Sequence, residues 1–302
     1  MTSFMLSSTT ASKIDSHLTM LRHQMGAPAI GMVLTLVVVT DESRQYDAVR
    51  AATEAAREHP SRILVVINRD LDEATRLDAE IRMGESTPGE VVLLRLYGEL
   101  TDHADSVVSP LLLPDTPVVA WWPADSPDFP SKDPIGALAQ RRITDAKTCP
   151  DPVRAIKTRA NGYVPGDTDL AWTRLTPWRS LLAASFDQPV GEVTEGLVEG
   201  ATGNPSACLL AAWLSERLGA PIKVTESAGP GLTAVRLAVP GGEIAVTRND
   251  ARLASLHRPG QPERHVALAR RPTSELLAEE LRRLDPDDVY ASAIKWLARV
   301  SL

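Results

Sequence analysis

Cysteine is nearly absent from this chain of 302 residues: only Cys149 and Cys208 occur. Two thiols do not make a disulfide framework, and the expectation is a pair of reduced thiols in a cytoplasmic protein, with a bond between them left open because separation in sequence does not fix distance in space. Small aromatics are scarce too, with three Phe and four Tyr. The longest apolar run near the start, Ile30 to Val39, is interrupted by Gly31 and Thr35. It is about half of the ~20 residues that a membrane helix needs. No basic segment precedes an apolar one at the start, so no secretory leader is expected. Positive charge is in the minority. Lys and Arg number 32 against 39 Asp and Glu, leaving −7, which speaks against nucleic acid as a partner. Histidine is thinly spread, at His17, His23, His59, His103, His257 and His265. His103 beside Asp102 and Asp105 reads as a solvated helix face rather than a metal site. The chain has no His-Glu-x-x-His, no Cys-x-x-Cys pair and no Gly-x-Ser-x-Gly elbow. We therefore assign no catalytic residue, no metal ligand and no cofactor.

What is present is alternating secondary structure. Residues 1–10 are small and polar and are expected to be disordered. Ile14, Leu18, Leu21 and Met25 recur at helical spacing, with Gly26 and Pro28 as the stop. Ala29 to Thr40 reads as a strand covered on both faces. Asp41 to Ser43 offers caps for a helix to about Glu58, and Ile63 to Asn68 reads as a second buried strand. That β-α-β unit implies a mostly parallel, Rossmann-like sheet with flanking helices. Leu77 to Met83 alternates with period two and, with Val91 to Tyr97, suits an antiparallel edge. Asp102 to Ser109 and the segment from Asp133-Pro134 read as short helices, and Arg142 to Asp145 as a last strand. The first strand runs into Thr40-Asp41-Glu42-Ser43, with no glycine and two acids. A pyrophosphate would be repelled there, so a dinucleotide site is not expected.

Composition shifts after Asp187 to Gly191, which reads as a linker. We place an α/β domain at 1–188 and a smaller α+β domain with an antiparallel sheet at 189–302. In the second, Asn204 to Leu218 reads as a helix. Short strands at 222–226, 232–239, 243–248, 251–257 and 263–268 read as a meander. Thr273 caps a helix, and Asp285-Pro286 opens another as N-cap and first helical residue. Gly200-Ala-Thr-Gly-Asn-Pro-Ser206 joins a strand to a helix and offers backbone amides to an anion. It lacks the lysine of a phosphate loop, and a plain turn with an N-cap accounts for it.

Tryptophan is the exception to the scarcity of aromatics, with six. Leu111-Leu-Leu-Pro-Asp-Thr-Pro-Val-Val-Ala-Trp-Trp-Pro123 holds two side by side, in a strand stopped by Pro123. Adjacent strand residues point to opposite faces; we place Trp121 in the core and Trp122 nearer the surface. Asp167 to Leu182 reads as a helix capped near Asp167 or Asp169 and kinked or broken at Pro177. Its Leu175, Trp178 and Leu182 share one stripe, and Arg174 and Arg179 lie among its tryptophans. The plain reading packs these rings between sheet and helix. The sharper one makes Asp115, Trp121, Trp122, Asp169, Trp172, Arg174, Trp178 and Arg179 a candidate partner interface, because Trp and Arg dominate interface hot spots.

Three segments carry a family resemblance: His59-Pro-Ser-Arg-Ile-Leu-Val-Val66, Leu111 to Trp122, and Asp167-Thr-Asp-Leu-Ala-Trp-Thr-Arg-Leu-Thr-Pro-Trp-Arg179. Glu279-Glu-Leu-Arg-Arg-Leu-Asp-Pro-Asp-Asp288 fits as well. With them the chain resembles the glucose-6-phosphate dehydrogenase assembly proteins, called OpcA, in the style of the actinobacterial branch. The resemblance implies a cytoplasmic protein with no catalysis of its own. Such a protein binds glucose-6-phosphate dehydrogenase, favours its active oligomeric state and so supports NADPH supply through the oxidative pentose phosphate pathway. Other branches are tied to thiol redox control, for which two cysteines are a poor basis. The competing expectation is a sugar-phosphate- or nucleotide-binding enzyme or sensor on the α/β domain. No membrane partner is expected, and self-association stays open.

Overall fold

The computed structural model describes residues 2–25, 31–69, 71–83, 89–187, 190–248, 250 and 252–300. The expected helix stop at Gly26 and Pro28, the start of the Ala29 run, and residues 84–88 and 188–189 of the expected loop and linker lie outside them. In chain order the elements begin β1 (Thr2–Leu6), α1 (Ala11–Met25), β2 (Leu34–Thr40), α2 (Gln45–Ala55), β3 (Ser61–Asn68), β4 (Arg76–Met83) and β5 (Gly89–Tyr97). Then come α3 (Ala104–Val108), β6 (Val118–Trp121), α4 (Pro134–Leu138), β7 (Arg141–Thr144), α5 (Pro152–Asn161), β8 (Asp167–Asp169), α6 (Leu170–Thr173) and α7 (Thr176–Ala184). The rest are β9 (Glu195–Gly200), α8 (Pro205–Leu218), β10 (Ile222–Glu226), β11 (Leu232–Val239), β12 (Gly242–Arg248), β13 (Leu253–His257), β14 (Arg264–Ala267), α9 (Thr273–Arg282) and α10 (Asp288–Arg299).

The chain forms two compact units. Met1–Thr144 with Thr273–Asp285 make the first, and Asp145–Pro272 with Pro286–Leu302 the second.

In the first unit the strands lie in the order β1-β4-β5-β3-β2-β6-β7. The pairs β5–β3, β3–β2, β2–β6 and β6–β7 are parallel. Counted along the chain, those parallel strands lie 3-2-1-4-5, the order of a doubly wound sheet. β2 and β3 are almost wholly buried, as continuous Val, Leu and Ile runs require. β4 alternates half-buried and buried residues and pairs antiparallel with β5, which is the expected edge.

Beyond it lies a difference. Residues 2–6 are a strand, pairing antiparallel with β4 from Thr2–Met83 to Leu6–Ala79. Phe4 and Leu6 are half-buried while Ser3 and Met5 are exposed. Phe4 and Leu6 lie two apart, the period of a strand with one covered face, and the free edge of β4 supplies the backbone partners.

Val118, Ala120 and Trp122 share one core with Ile14, Leu18 and Leu21 of α1 and Ile135 of α4. Val119 and Trp121 therefore face the other way. Trp122 does not lie nearer the surface than Trp121. Trp122 is 2% exposed and Trp121 1%, so both faces of the sheet are covered here and neither ring is near the surface.

The second unit has a sheet of order β10-β9-β11-β12-β13-β14. From β9 through β11 to β14 it is an antiparallel meander. β10 departs from the expected pattern: it pairs parallel with β9, from Ile222–Gly196 to Glu226–Gly200. α8 is the crossover that this parallel pair needs. The core joins α8, Trp172, Trp178, and Tyr290, Ile294 and Leu297 of α10 to Val198, Val235, Leu237 and Val246 of the sheet. Asp287, not Asp285, caps α10, its Oδ1 accepting from the amides of Val289 and Tyr290 at 2.9 Å. Pro286 thus precedes the cap.

Candidate functional site

The Asp-x-Asp-Leu…Trp-Arg segment is built around Asp169, which is fully buried. Its carboxylate accepts the Ala171 amide at 2.9 Å, capping α6. It accepts the Ala146 amide at 3.1 and 3.0 Å through its two oxygens, and Arg159 Nη1 at 3.3 Å. Burial works against the Arg159 charge, but Asp169 together with Cys149 and Tyr290 holds the guanidinium above its ordinary value. Arg174 makes a two-pronged pair with Asp145, at 2.8 and 2.5 Å. Its pKa is raised as well: burial opposes the charge and Asp145 more than restores it.

Pro177 divides the helix in two. α6 ends at Thr173, and α7 begins at Thr176 with Pro177 in its first turn, where a missing N–H costs nothing. Leu175, Trp178 and Leu182 are buried. Arg179 lies over the Trp172 ring with Cζ 3.8 Å from its centroid. Trp172 leans on Tyr290 at 5.6 Å and donates Nε1–H to Asp287 Oδ2 at 2.9 Å.

The eight expected interface residues separate by burial. Trp121, Trp122, Asp169, Trp172 and Trp178 are buried, Arg174 and Arg179 are half-buried, and Asp115 is exposed in a turn at φ 55°. Asp169, Trp172, Arg174, Trp178 and Arg179 belong to the second unit; Asp115, Trp121 and Trp122 belong to the first. The rings of Trp172 and Trp178 brace α6, α7 and α10 from within. Trp121 keeps one loose end, since its Nε1 has no hydrogen-bond partner.

The His-Pro-Ser-Arg segment also has a structural use. Arg62, 2% exposed, donates to Glu90 at 2.8 Å and to the Leu111 carbonyl at 2.7 Å. Arg22 Nε reaches the same carboxylate at 2.7 Å. Gly89, at φ 104°, is needed because a Cβ would lie 2.0 Å from the Ser61 carbonyl oxygen.

In a doubly wound sheet, ligands sit beyond the carboxyl ends of the strands where the order reverses, here β2 and β6. Asp41 occupies that place. Its Oδ1 accepts the amides of Ser43 and Arg44 at 2.7 and 3.0 Å, and the Ser43 hydroxyl at 2.5 Å. Burial raises its pKa, yet the hydrogen bonds from Ser43 and Arg44 carry it below the ordinary value. Arg44 also pairs with Asp125, just past β6. The loop amides that would cradle a phosphate are therefore taken by the protein's own carboxylate.

Sequence reasoning passed over one feature of the second unit, a cavity of about 370 Å³ walled by Trp178, the 201–206 loop and several cations. Its only signal was the Gly200–Ser206 turn.

The architecture defines a two-unit α/β protein, with a doubly wound sheet in one unit and a largely antiparallel sheet with helices in the other. Comparison with solved structures agrees at the level of fold. An oxidoreductase from Sinorhizobium meliloti superposes with a TM-score of 0.50 at 12% identity, over 88% of this chain and 94% of that one. The KijD10 3-ketoreductase from Actinomadura kijaniata gives 0.48 at 9%, over 88% and 95%. Residues 52–161 match the family model for the N-terminal domain of a glucose-6-phosphate dehydrogenase subunit. Residues 165–294 match the companion model for the C-terminal domain of a glucose-6-phosphate dehydrogenase subunit. The chain belongs to the OpcA family of glucose-6-phosphate dehydrogenase assembly proteins. Two cyanobacterial relatives carry the provisional name OxPP cycle protein OpcA. That of Synechococcus elongatus is 31% identical over 140 residues, 43% of this chain and 31% of the relative. That of Synechocystis is 27% identical over 138 residues, 43% and 29%. The alignment thus spans under a third of each relative's length.

Proposed function

We propose that this protein is a non-catalytic partner of glucose-6-phosphate dehydrogenase that favours the enzyme's active oligomeric state, in the cytoplasm. The observation that carries the reading is the pair of family models, which together run from residue 52 to 294 and are both named for that enzyme. The switch point supports it, because Asp41 uses the amides a nucleotide would need. Among the described residues no helix is long and apolar enough to cross a membrane.

The mechanism is a population shift. A partner activates an enzyme only by binding its active state better than the inactive one. Moving a population from a few per cent active to mostly active takes about 3–5 kcal/mol of differential binding. We place the contact surface on Arg174 and Arg179, the members of the expected interface in the second unit that reach solvent. The buried Trp172 beneath Arg179 holds it in place. A guanidinium stacked on an indole has little rotamer freedom left to lose on binding.

The test mixes the full chain with glucose-6-phosphate dehydrogenase of the same organism and measures co-elution and rate. A complex with raised activity is expected, weakened about tenfold by Arg179→Glu. Separate elution with an unchanged rate overturns the reading.

A further inference from the structure

The cavity of the second unit is lined by the loop that carries β9 into α8, by the 230–231 turn, and by Lys147, Arg174, Arg248, Arg270 and Arg271. Among the described residues no Asp or Glu lines it. In a chain of net charge −7, a concave surface with five cations and no carboxylate is a local reversal of sign.

The cations are not equivalent. Arg174 is answered by Asp145. Lys147, Arg248 and Arg270 make no ion pair among the described residues; Arg270 donates only to the Pro230 carbonyl, at 2.6 Å. Arg248 is the decisive one. It is half-buried, stacked 5.0 Å from the Trp178 ring centroid, and its buried Nε has no hydrogen-bond partner. Burial, and then the Arg270 charge beside it, pull its pKa down to about 10. Arg159, Arg174 and Arg236 shift the other way, because carboxylates face them. A guanidinium held desolvated next to a second cation is costly without a counter-charge. Folding has left that cost in place, at the wall of a cavity.

α8 adds to the same field. It runs 14 residues from an Asn204 cap at the cavity, so its positive end faces the space. Its first amides are spoken for: Ser206 donates to Asn204 Oδ1 at 3.0 Å and Ala207 to the Asn204 carbonyl at 3.1 Å. The helix contributes potential, and the side chains contribute the donors.

We propose that this cavity binds a small phosphate monoester, with Arg248 and Arg270 as its phosphate-binding residues. Guanidinium groups match phosphate oxygens in charge and in forked geometry. A volume of about 370 Å³ exceeds what an inorganic ion fills and falls in the range of small-metabolite sites. Trp178 and Leu232 give the organic part an apolar wall. The proposal stands apart from the assembly reading, since it concerns binding by this chain alone.

Calorimetry on the full chain at constant ionic strength tests it, with glucose 6-phosphate, glycerol 3-phosphate and AMP as probes. Inorganic phosphate and glucose serve as controls. At least one monoester is expected to bind in one-to-one ratio and at least tenfold tighter than inorganic phosphate, with no binding of glucose. Arg248→Gln and Arg270→Gln should each weaken it tenfold or more. Arg270 is exposed, so its variant keeps the fold, which the melting midpoint verifies. Silence from all three monoesters, binding no tighter than that of inorganic phosphate, or affinity unchanged in Arg270→Gln overturns the proposal.

Discussion

Trp172 and Asp287 are 115 residues apart in sequence and joined by a hydrogen bond of 2.9 Å from the indole Nε1 to Oδ2. The other oxygen of Asp287 caps α10. One carboxylate therefore starts the last helix and ties it to the Asp-x-Asp-Leu…Trp-Arg segment. Asp287→Ala removes a cap worth about 1 kcal/mol and leaves a buried indole donor unpaired, at about 1–3 kcal/mol. A loss of about 2–4 kcal/mol is expected in urea unfolding followed by tryptophan fluorescence. Asp287→Asn keeps one acceptor, which can cap the helix but leaves the indole N–H facing an amide N–H, so it should recover only the cap's share of about 1 kcal/mol.

Asp169 and Arg159 test how a buried charge is satisfied. Removing Arg159 leaves Asp169 with the Ala146 and Ala171 amides. Removing Asp169 strands both amides and takes the carboxylate away from Arg159, whose Nη2 still reaches the Cys149 sulfur at 3.4 Å. Breaking a buried pair costs about 3–5 kcal/mol. Asp169→Ala is expected at the top of that range or beyond, and Arg159→Met well below it. Equal losses in a denaturant series would show that the amides contribute little.

The same residues show what a sequence can reveal. The Val, Leu and Ile runs of β2 and β3 and the alternation of β4 announced a parallel sheet with an antiparallel edge, because those patterns follow from which faces are covered. Pro177 announced a kink or a break, because an interior proline removes one helix hydrogen bond and crowds the preceding turn, and the structure has the break. Which side of a strand is open was not legible. Trp121 and Trp122 had to point apart, but nothing local says that Gly136 and α4 close over Trp122. Strand β1 was hidden for a related reason: its partner, β4, is some 75 residues away in sequence, and only an available edge makes Thr2–Leu6 a strand. The motifs named a family without separating the residues that brace the core from those that meet a partner. Arg248 and Arg270 were invisible as a pair, since they come together only when β12 and the segment after β14 fold.

Tyr290 predicts a dependence on alkaline pH. It is 2% exposed, and burial first, then Asp169 and Asp167, push its phenol well above the ordinary value of 10.0. The folded state therefore keeps the proton after the unfolded state has released it. The resulting stability is fully present below pH 10 and is lost as pH rises from there toward the folded value. The slope is about 1.4 kcal/mol per pH unit. Tyr290→Phe has no such proton to hold. The stability difference between wild type and variant should fall steadily between pH 10 and 11; a constant difference would contradict the assignment.

Trp122 and Gly136 give a paired test of the core that closes over the double tryptophan. A Cβ on Gly136 would lie 1.8 Å from the Pro130 carbonyl oxygen and 3.3 Å from Trp122 Cη2. Its φ is not in the left-handed region, so the conflict is one of space. Gly136→Ala must move backbone and should cost at least the ~1–3 kcal/mol typical of overpacking. Trp122→Ala empties the same site and should cost about 3–5 kcal/mol. Removing the ring relieves only the lesser of the two contacts, so the double variant should come close to additive, with the Pro130 conflict remaining. If Trp122 met a partner instead, its alanine variant would melt like the wild type and lose binding to glucose-6-phosphate dehydrogenase. Measuring both for one preparation separates a core residue from a contact residue.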